Sequence, residues 1–136
     1  MIKHYHIKLP VYPRGFHLIT NQILKATTDL PEDGVAHIFI QHTSAGLCIN
    51  ENADGRVLED FEMVFNKLIP EKGLPYKHTL EGLDDMPAHI KSVLTGSGIS
   101  IPIVNRKLAL GIWQGIYLCE FRNHATPRNL LMTIIS

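Results

Sequence analysis

Residues 35–68 read "VAHIFIQHTSAGLCINENADGRVLEDFEMVFNKL", and the fold class turns on where this stretch changes its period. Its first part, Val35 to Thr43, is β-branched and aromatic, which predicts a strand. Its last part, Asp54 to Leu68, sets Val57, Leu58, Phe61, Val64, Phe65 and Leu68 at helical spacing, with Arg56, Glu59, Asp60, Glu62 and Lys67 on the other face. Apolar residues at i, i+3, i+4 and i+7 share one side of a helix, so an amphipathic helix is expected here. Between the two lie His42, Thr43, Ser44, Asn50, Glu51, Asn52 and Asp54. Turns favour Gly, Asn, Asp and Ser for their backbone angles, but no turn rule asks for a histidine and a glutamate as well. Two readings stand: an ordinary hairpin followed by a helix cap, or one wall of a binding site.

Outward from this stretch the chain carries further strand-like and helical signals. "HYHIKLP" reads as a strand ended by Pro10 and Pro13, and "GFHLITNQILKATTDL" as a strand end running into a short helix. Beyond Pro70–Pro75, "MPAHIKSVLTG" predicts a second helix, with a proline near its start and Gly96 past its end. "ISIPIV", "LALGIWQGIYLCEF", broken near Gly111–Gly115, and "NLLMTIIS" read as strands. Strands gather at both ends with helices between, and no βαβ alternation is present. The expectation is an α+β fold, largely antiparallel sheets with two or three helices, as a single domain over residues 1–136.

Composition narrows the function classes. Thirteen basic and thirteen acidic side chains give a formal net charge of zero, where a nucleic-acid binder carries a clustered basic excess. No run approaches the ~18 apolar residues of a membrane span, and "MIKHYHIKLP" lacks the apolar core of a signal peptide. Cys48 and Cys119 sit in apolar stretches, which fits two reduced thiols in a cytoplasmic protein. The eight histidines stand out, because histidine binds metals and titrates near neutrality.

Several of these residues are candidates for chemistry. By strand phase, His42 shares a face with Ile38 and Ile40, and Glu120 with Ile116 and Leu118, so both point inward or sit at strand ends. Asp54 stands where an N-cap belongs, while Glu51 and Asn52 precede it with no local rule demanding them. His78 and His89 flank the acidic "TLEGLDDMPA", and His89 shares a helix face with Met86 and Val93. His42, His78 and His89 would make an open metal site if the fold gathers them, since catalytic zinc commonly takes three protein ligands. Arg14, Lys91, Arg122 and Arg128 are the cations available to an anion. In "GIWQGIY", Trp113 is either a core residue at a bulge or an aromatic wall beside the Gln114 amide.

Four ordered blocks, "RGFHLIT" at 14–20, "QHTSAGLCINENAD" at 41–54, "EGLDDMPAHIKS" at 81–92 and "LGIWQGIYLCEFR" at 110–122, resemble the YjbQ family, also described as secondary thiamine-phosphate synthases. The resemblance covers essentially the whole chain. Three positions depart from the family pattern, which usually has serine at Gly98, glycine at Arg106 and threonine at Ile112. The resemblance implies a homotrimer whose shared polar residues gather in a pocket near subunit contacts. It also implies a weak transfer of a pyrimidine group to a thiazole phosphate with release of pyrophosphate, which calls for charge neutralisation by Mg²⁺ or cations.

Three readings follow. In the transferase reading, Glu51, Asp54 and Glu120 hold magnesium, Lys91 and Arg122 meet phosphates and Trp113 stacks on a ring; Glu51, Glu120 and Gln114 are the catalytic candidates, and Asn52 and Asp54 join the substrate-binding ones. In the metal-enzyme reading, His42, His78 and His89 bind a divalent ion, zinc rather than magnesium by their nitrogen ligands, with Glu51 or Glu120 as base of a hydrolase. In the third, a non-enzymatic trimer binds a small metabolite.

Overall fold

β3 (Asp33–Ile40) and β4 (Ala45–Glu51) are consecutive strands that do not pair with each other. In the computed structural model, which describes residues 1–136, the chain leaves one sheet at Ile40 and enters another at Ala45. The hairpin reading of residues 41–44 is therefore corrected. The polar residues there cross between two layers instead of turning within one, so they are not required to sit on a hairpin.

The first sheet has five strands in the order β1-β8-β3-β5-β6, and the second three in the order β2-β7-β4. Their members are β1 (Ile2–Lys8), β2 (Gly15–Leu18), β5 (Gly98–Val104), β6 (Lys107–Leu108), β7 (Gln114–Glu120) and β8 (Asn129–Ile135), with every pairing antiparallel. Three helices complete the α+β fold: α1 (Thr20–Ala26), α2 (Gly55–Leu68) and α3 (Asp85–Thr95). α2 begins at the cap and ends where the periodicity predicted.

The core forms between the sheets. Ile38, Ile40, Leu47, Ile101, Ile116, Leu118, Leu130 and Met132 alternate along their strands and meet there, and Ile19, just before α1, and Ile23 within it close one side. A second cluster of Phe16, Ala88, Tyr117, Cys119 and Phe121 lies on the opposite face of the three-stranded sheet, against Leu58, Phe61 and Phe65 of α2. β7 is thus the middle of three layers, which explains why Gly115 through Glu120 are all buried. At the β5–β6 turn, Asn105 and Arg106 both have positive φ, +50° and +63°. A two-residue hairpin of this kind favours glycine. Arg106 occupies the position by conformational strain, and its guanidinium pairs with Glu32 at 3.0 Å.

Candidate functional site

Asp85 stands in the first turn of α3, and one helical turn later His89 falls on the same face. The loop before α3 brings His78 to the same carboxylate. The Nε2 atoms of His78 and His89 lie 2.6 and 3.1 Å from Asp85 Oδ2. These three ligand atoms all lie within 4.8 Å of one another, so the trio could hold a metal ion. The imidazoles are partly exposed and the carboxylate is buried, giving a cluster closed behind and open in front.

The carboxylate is held from behind. Arg122 donates through Nη1 to Asp85 Oδ1, through Nε to Asp84 Oδ2 at 2.9 Å, and through Nη2 to the Glu81 carbonyl at 3.0 Å. Burial pushes the Asp85 carboxyl up, but the His78 hydrogen bond and the charges of Arg122 and His89 outweigh it and leave it below its ordinary range. Asp84 is likewise pushed up by burial and brought lower by the Asn123 N–H and by Arg122.

The orientation of His89 is fixed by the crossover that leads into β4. Its Nδ1 lies 2.8 Å from the Thr43 carbonyl, which can only accept, so Nδ1 carries the proton. If the ring is neutral, its Nε2 turns a lone pair toward an Asp85 oxygen that also meets His78 Nε2 at 2.6 Å. Two acceptors at 3.1 Å need a cation between them, a proton or a metal ion. An imidazole anchored by its other nitrogen to a backbone carbonyl is the usual support for a metal-binding histidine.

His42 is not in this cluster. Its Nε2 accepts the Asn129 N–H at 2.8 Å, which fixes the ring at the start of β8. It nonetheless lines a cavity of about 420 Å³ together with His89, Thr43, Ser92, Val93 and Ser97. The three imidazoles expected to gather are thus resolved into two ligands plus one cavity wall, and Asp85 takes the third place. Asp85 lay in the acidic segment without being singled out. Its Asp-x-x-x-His spacing to His89 on a helix was the signal available.

The remaining candidates separate to the two ends of the three-stranded sheet. Ala45 pairs with Glu120 at one end of β4 and Glu51 with Gln114 at the other, six residues along the strand, about 20 Å away. Glu120 is fully buried and takes the Arg128 guanidinium through both carboxylate oxygens, at 2.7 and 2.6 Å. At the far end Tyr117 donates to the Glu51 carbonyl, Asn52 donates to the Gln114 carbonyl, and Gln114 Oε1 accepts the Gly111 N–H at 2.7 Å. Trp113 is 62% exposed beside them, so it is not a core residue. Asp54 caps α2, its side chain accepting the Arg56 N–H at 2.9 Å. The three carboxylates expected to share magnesium, Glu51, Asp54 and Glu120, are therefore not brought together.

Nor are the two expected phosphate partners left free to meet a phosphate. Arg122 is committed to Asp84, Asp85 and Glu81. Lys91 is 1% exposed and donates to Asn66 at 2.7 Å, and burial, with Arg14 nearby, holds its pKa below that of an ordinary lysine. A larger cavity of about 580 Å³ opens at Arg14, Glu62, Asn66 and Glu71, but Arg14 is saturated by Glu62, Glu71, Asn66 and Asn123. The His42–His89 cavity adjoins one member of the cluster, His89, and a smaller one adjoins His78.

Comparison with known proteins gives a consistent picture. The family described as "UPF0047 protein YjbQ-like" matches residues 5–136. The YjbQ protein of Salmonella typhimurium is 45% identical over 130 residues, 94% of each chain. A crystal structure of an uncharacterized YjbQ/UPF0047-family protein from Clostridium acetobutylicum superposes with a TM-score of 0.80 at 40% identity, covering 98% of this chain and 99% of that one. A conserved hypothetical protein from Thermus thermophilus superposes with a TM-score of 0.81 at 30% identity, covering 93% and 96%.

Proposed function

The chain belongs to the YjbQ-like UPF0047 family, and from that premise we propose that it is a divalent-metal-dependent enzyme of hydrolase type, with His78, Asp85 and His89 as the metal ligands. The observation that carries this reading is the arrangement of His89: Nδ1 bound to the Thr43 carbonyl and Nε2 turned to the Asp85 oxygen. Two nitrogens and one carboxylate oxygen favour zinc or a similar transition ion over magnesium. Ligand atoms around tetrahedral zinc stand about 3.3 Å apart, so the 2.6 and 3.1 Å contacts need only a small outward movement.

Three protein ligands leave a coordination position for water, whose pKa a zinc ion lowers to about 7. Held by His78, Asp85 and His89, such an ion would supply a nucleophilic water for hydrolysis of an ester, amide or phosphoryl group of a small substrate. Neither Glu51 nor Glu120 is needed as base in this scheme, because the metal itself supplies the nucleophile. No helix is long and apolar enough to cross a membrane. The homotrimer remains part of the proposal, supported by Val35, Phe39 and Ile135 left exposed on the outer face of the five-stranded sheet, and light scattering measures it directly.

Metal analysis tests the site. Protein stripped with a chelator should take up one equivalent of zinc per chain by calorimetry, and His89→Ala, His78→Ala and Asp85→Asn should each lose it. Wild-type protein that takes up no zinc would remove the reading and leave the non-enzymatic metabolite binder. Pyrophosphate release from the two thiamine precursors at a rate indifferent to His89→Ala would instead favour the transferase.

A further inference from the structure

His42 carries information that the metal cluster does not use. A backbone N–H can only donate, so the 2.8 Å contact from Asn129 N obliges Nε2 to hold a lone pair. The proton of the neutral ring therefore sits on Nδ1, and Nδ1 has no partner within the chain. Burial first, and then the charge of Arg128, lower the His42 pKa from its ordinary value, with Glu120 pulling the other way. The ring thus presents a fixed, neutral N–H donor.

The cavity that His42 shares with His89 contains no carboxylate among its lining residues. Its polar groups are two imidazoles and the hydroxyls of Thr43, Ser92 and Ser97, and the Ser92 hydroxyl proton is committed to the Ala45 carbonyl at 2.8 Å. The cations Lys91, Arg122 and Arg128 are all bound to partners inside the chain. A ligand entering this space would meet His89, whose Nε2 would carry the metal, on one side and the His42 donor on the other. Both favour negative charge on oxygen.

We infer that His42 donates its Nδ1–H to an anionic oxygen of the substrate, a carboxylate or phosphoryl oxygen, held in the cavity that His42 shares with the metal-ligand candidate His89. This rests on the metal reading above and names the substrate class for that site: small oxyanions. His42 is then a substrate-orienting donor and not a third metal ligand. A neutral imidazole in this role polarises or holds an oxygen without giving up its proton.

The test loads the protein with cobalt, titrates inorganic phosphate and follows the visible d–d spectrum. Wild type should bind cobalt and then phosphate. In His42→Ala the cobalt affinity should hold while phosphate affinity falls about tenfold or more, as for loss of one hydrogen bond to a charged group. His42→Asn, whose amide can place an N–H where Nδ1–H stood, should recover most of that loss. In the zinc form of wild type, imidazole ¹⁵N NMR should report His42 as the Nδ1–H tautomer, a readout that depends on no variant.

Loss of cobalt affinity together with phosphate affinity in His42→Ala would make His42 a ligand and overturn the inference. Unchanged phosphate affinity, an Nε2–H tautomer, or cobalt-loaded wild type indifferent to phosphate would also overturn it. Failure of wild type to bind cobalt removes the metal reading and this inference together, and is seen before any phosphate is added.

Discussion

Glu120 is fully buried against Arg128, with a further contact from the Arg122 N–H at 3.2 Å. Removing one member of such a pair strands the other charge away from water, at a cost of about 3–5 kcal/mol. Arg128→Met should lower the unfolding free energy in urea by about that amount, and adding Glu120→Leu should return much of it, since the pair as a unit contributes little. A Glu120→Gln variant as stable as wild type would instead point to Glu120 as a chemical group. Strand phase placed Glu120 on the same face as Ile116 and Leu118, and that is where it lies. The partner eight residues on was not readable, because Arg128 reaches it from the loop before β8 and local spacing says nothing about such a meeting. Asp85 was equally legible in principle, through its helical spacing to His89, whereas the third group, His78, joins from an irregular loop.

α2 shows the opposite balance. Its start, its apolar positions and its end are local properties, and the structure has them where the periodicity predicts. Asp54 caps it, so Asp54→Ala should lower the melting temperature by a few degrees while Asp54→Asn, which keeps an accepting oxygen, should not. Equal losses in the two variants would place the value of Asp54 in its charge to Arg56 instead of the cap. The neighbouring passage 41–44 was ambiguous for a physical reason. A segment that turns within one sheet and a segment that crosses between two need the same flexible, polar residues, and only the pairing partners distinguish them. The Gln114 loop behaves similarly: glycines and an amide announced close backbone approach, but the side on which Trp113 falls depends on the strands it joins.

For the whole molecule, the cluster at one end of the three-stranded sheet predicts a pH response. Asp84 and Asp85 are held below the ordinary carboxylate pKa in the folded state, so between that depressed value and about 3.9 the unfolded chain binds more protons. Their contribution to stability is complete above about pH 4 and is lost as pH falls below it, which a urea series from neutral pH to about pH 3 measures. Asp85→Asn should flatten that acid limb, and an unchanged limb would assign it to other carboxylates. The sequence by itself determined the family, the α+β class, the amphipathic helix and which residue types were chemically out of place, because period and block order are properties of neighbours along the chain. Tertiary structure alone decided that His42 stands apart, that Asp85 joins His78 and His89, and that Glu51 and Glu120 lie at opposite ends of the β4–β7 pair. Those distances depend on how two sheets and α3 stack, and stacking is set by side chains far apart in the chain that meet only once it has folded.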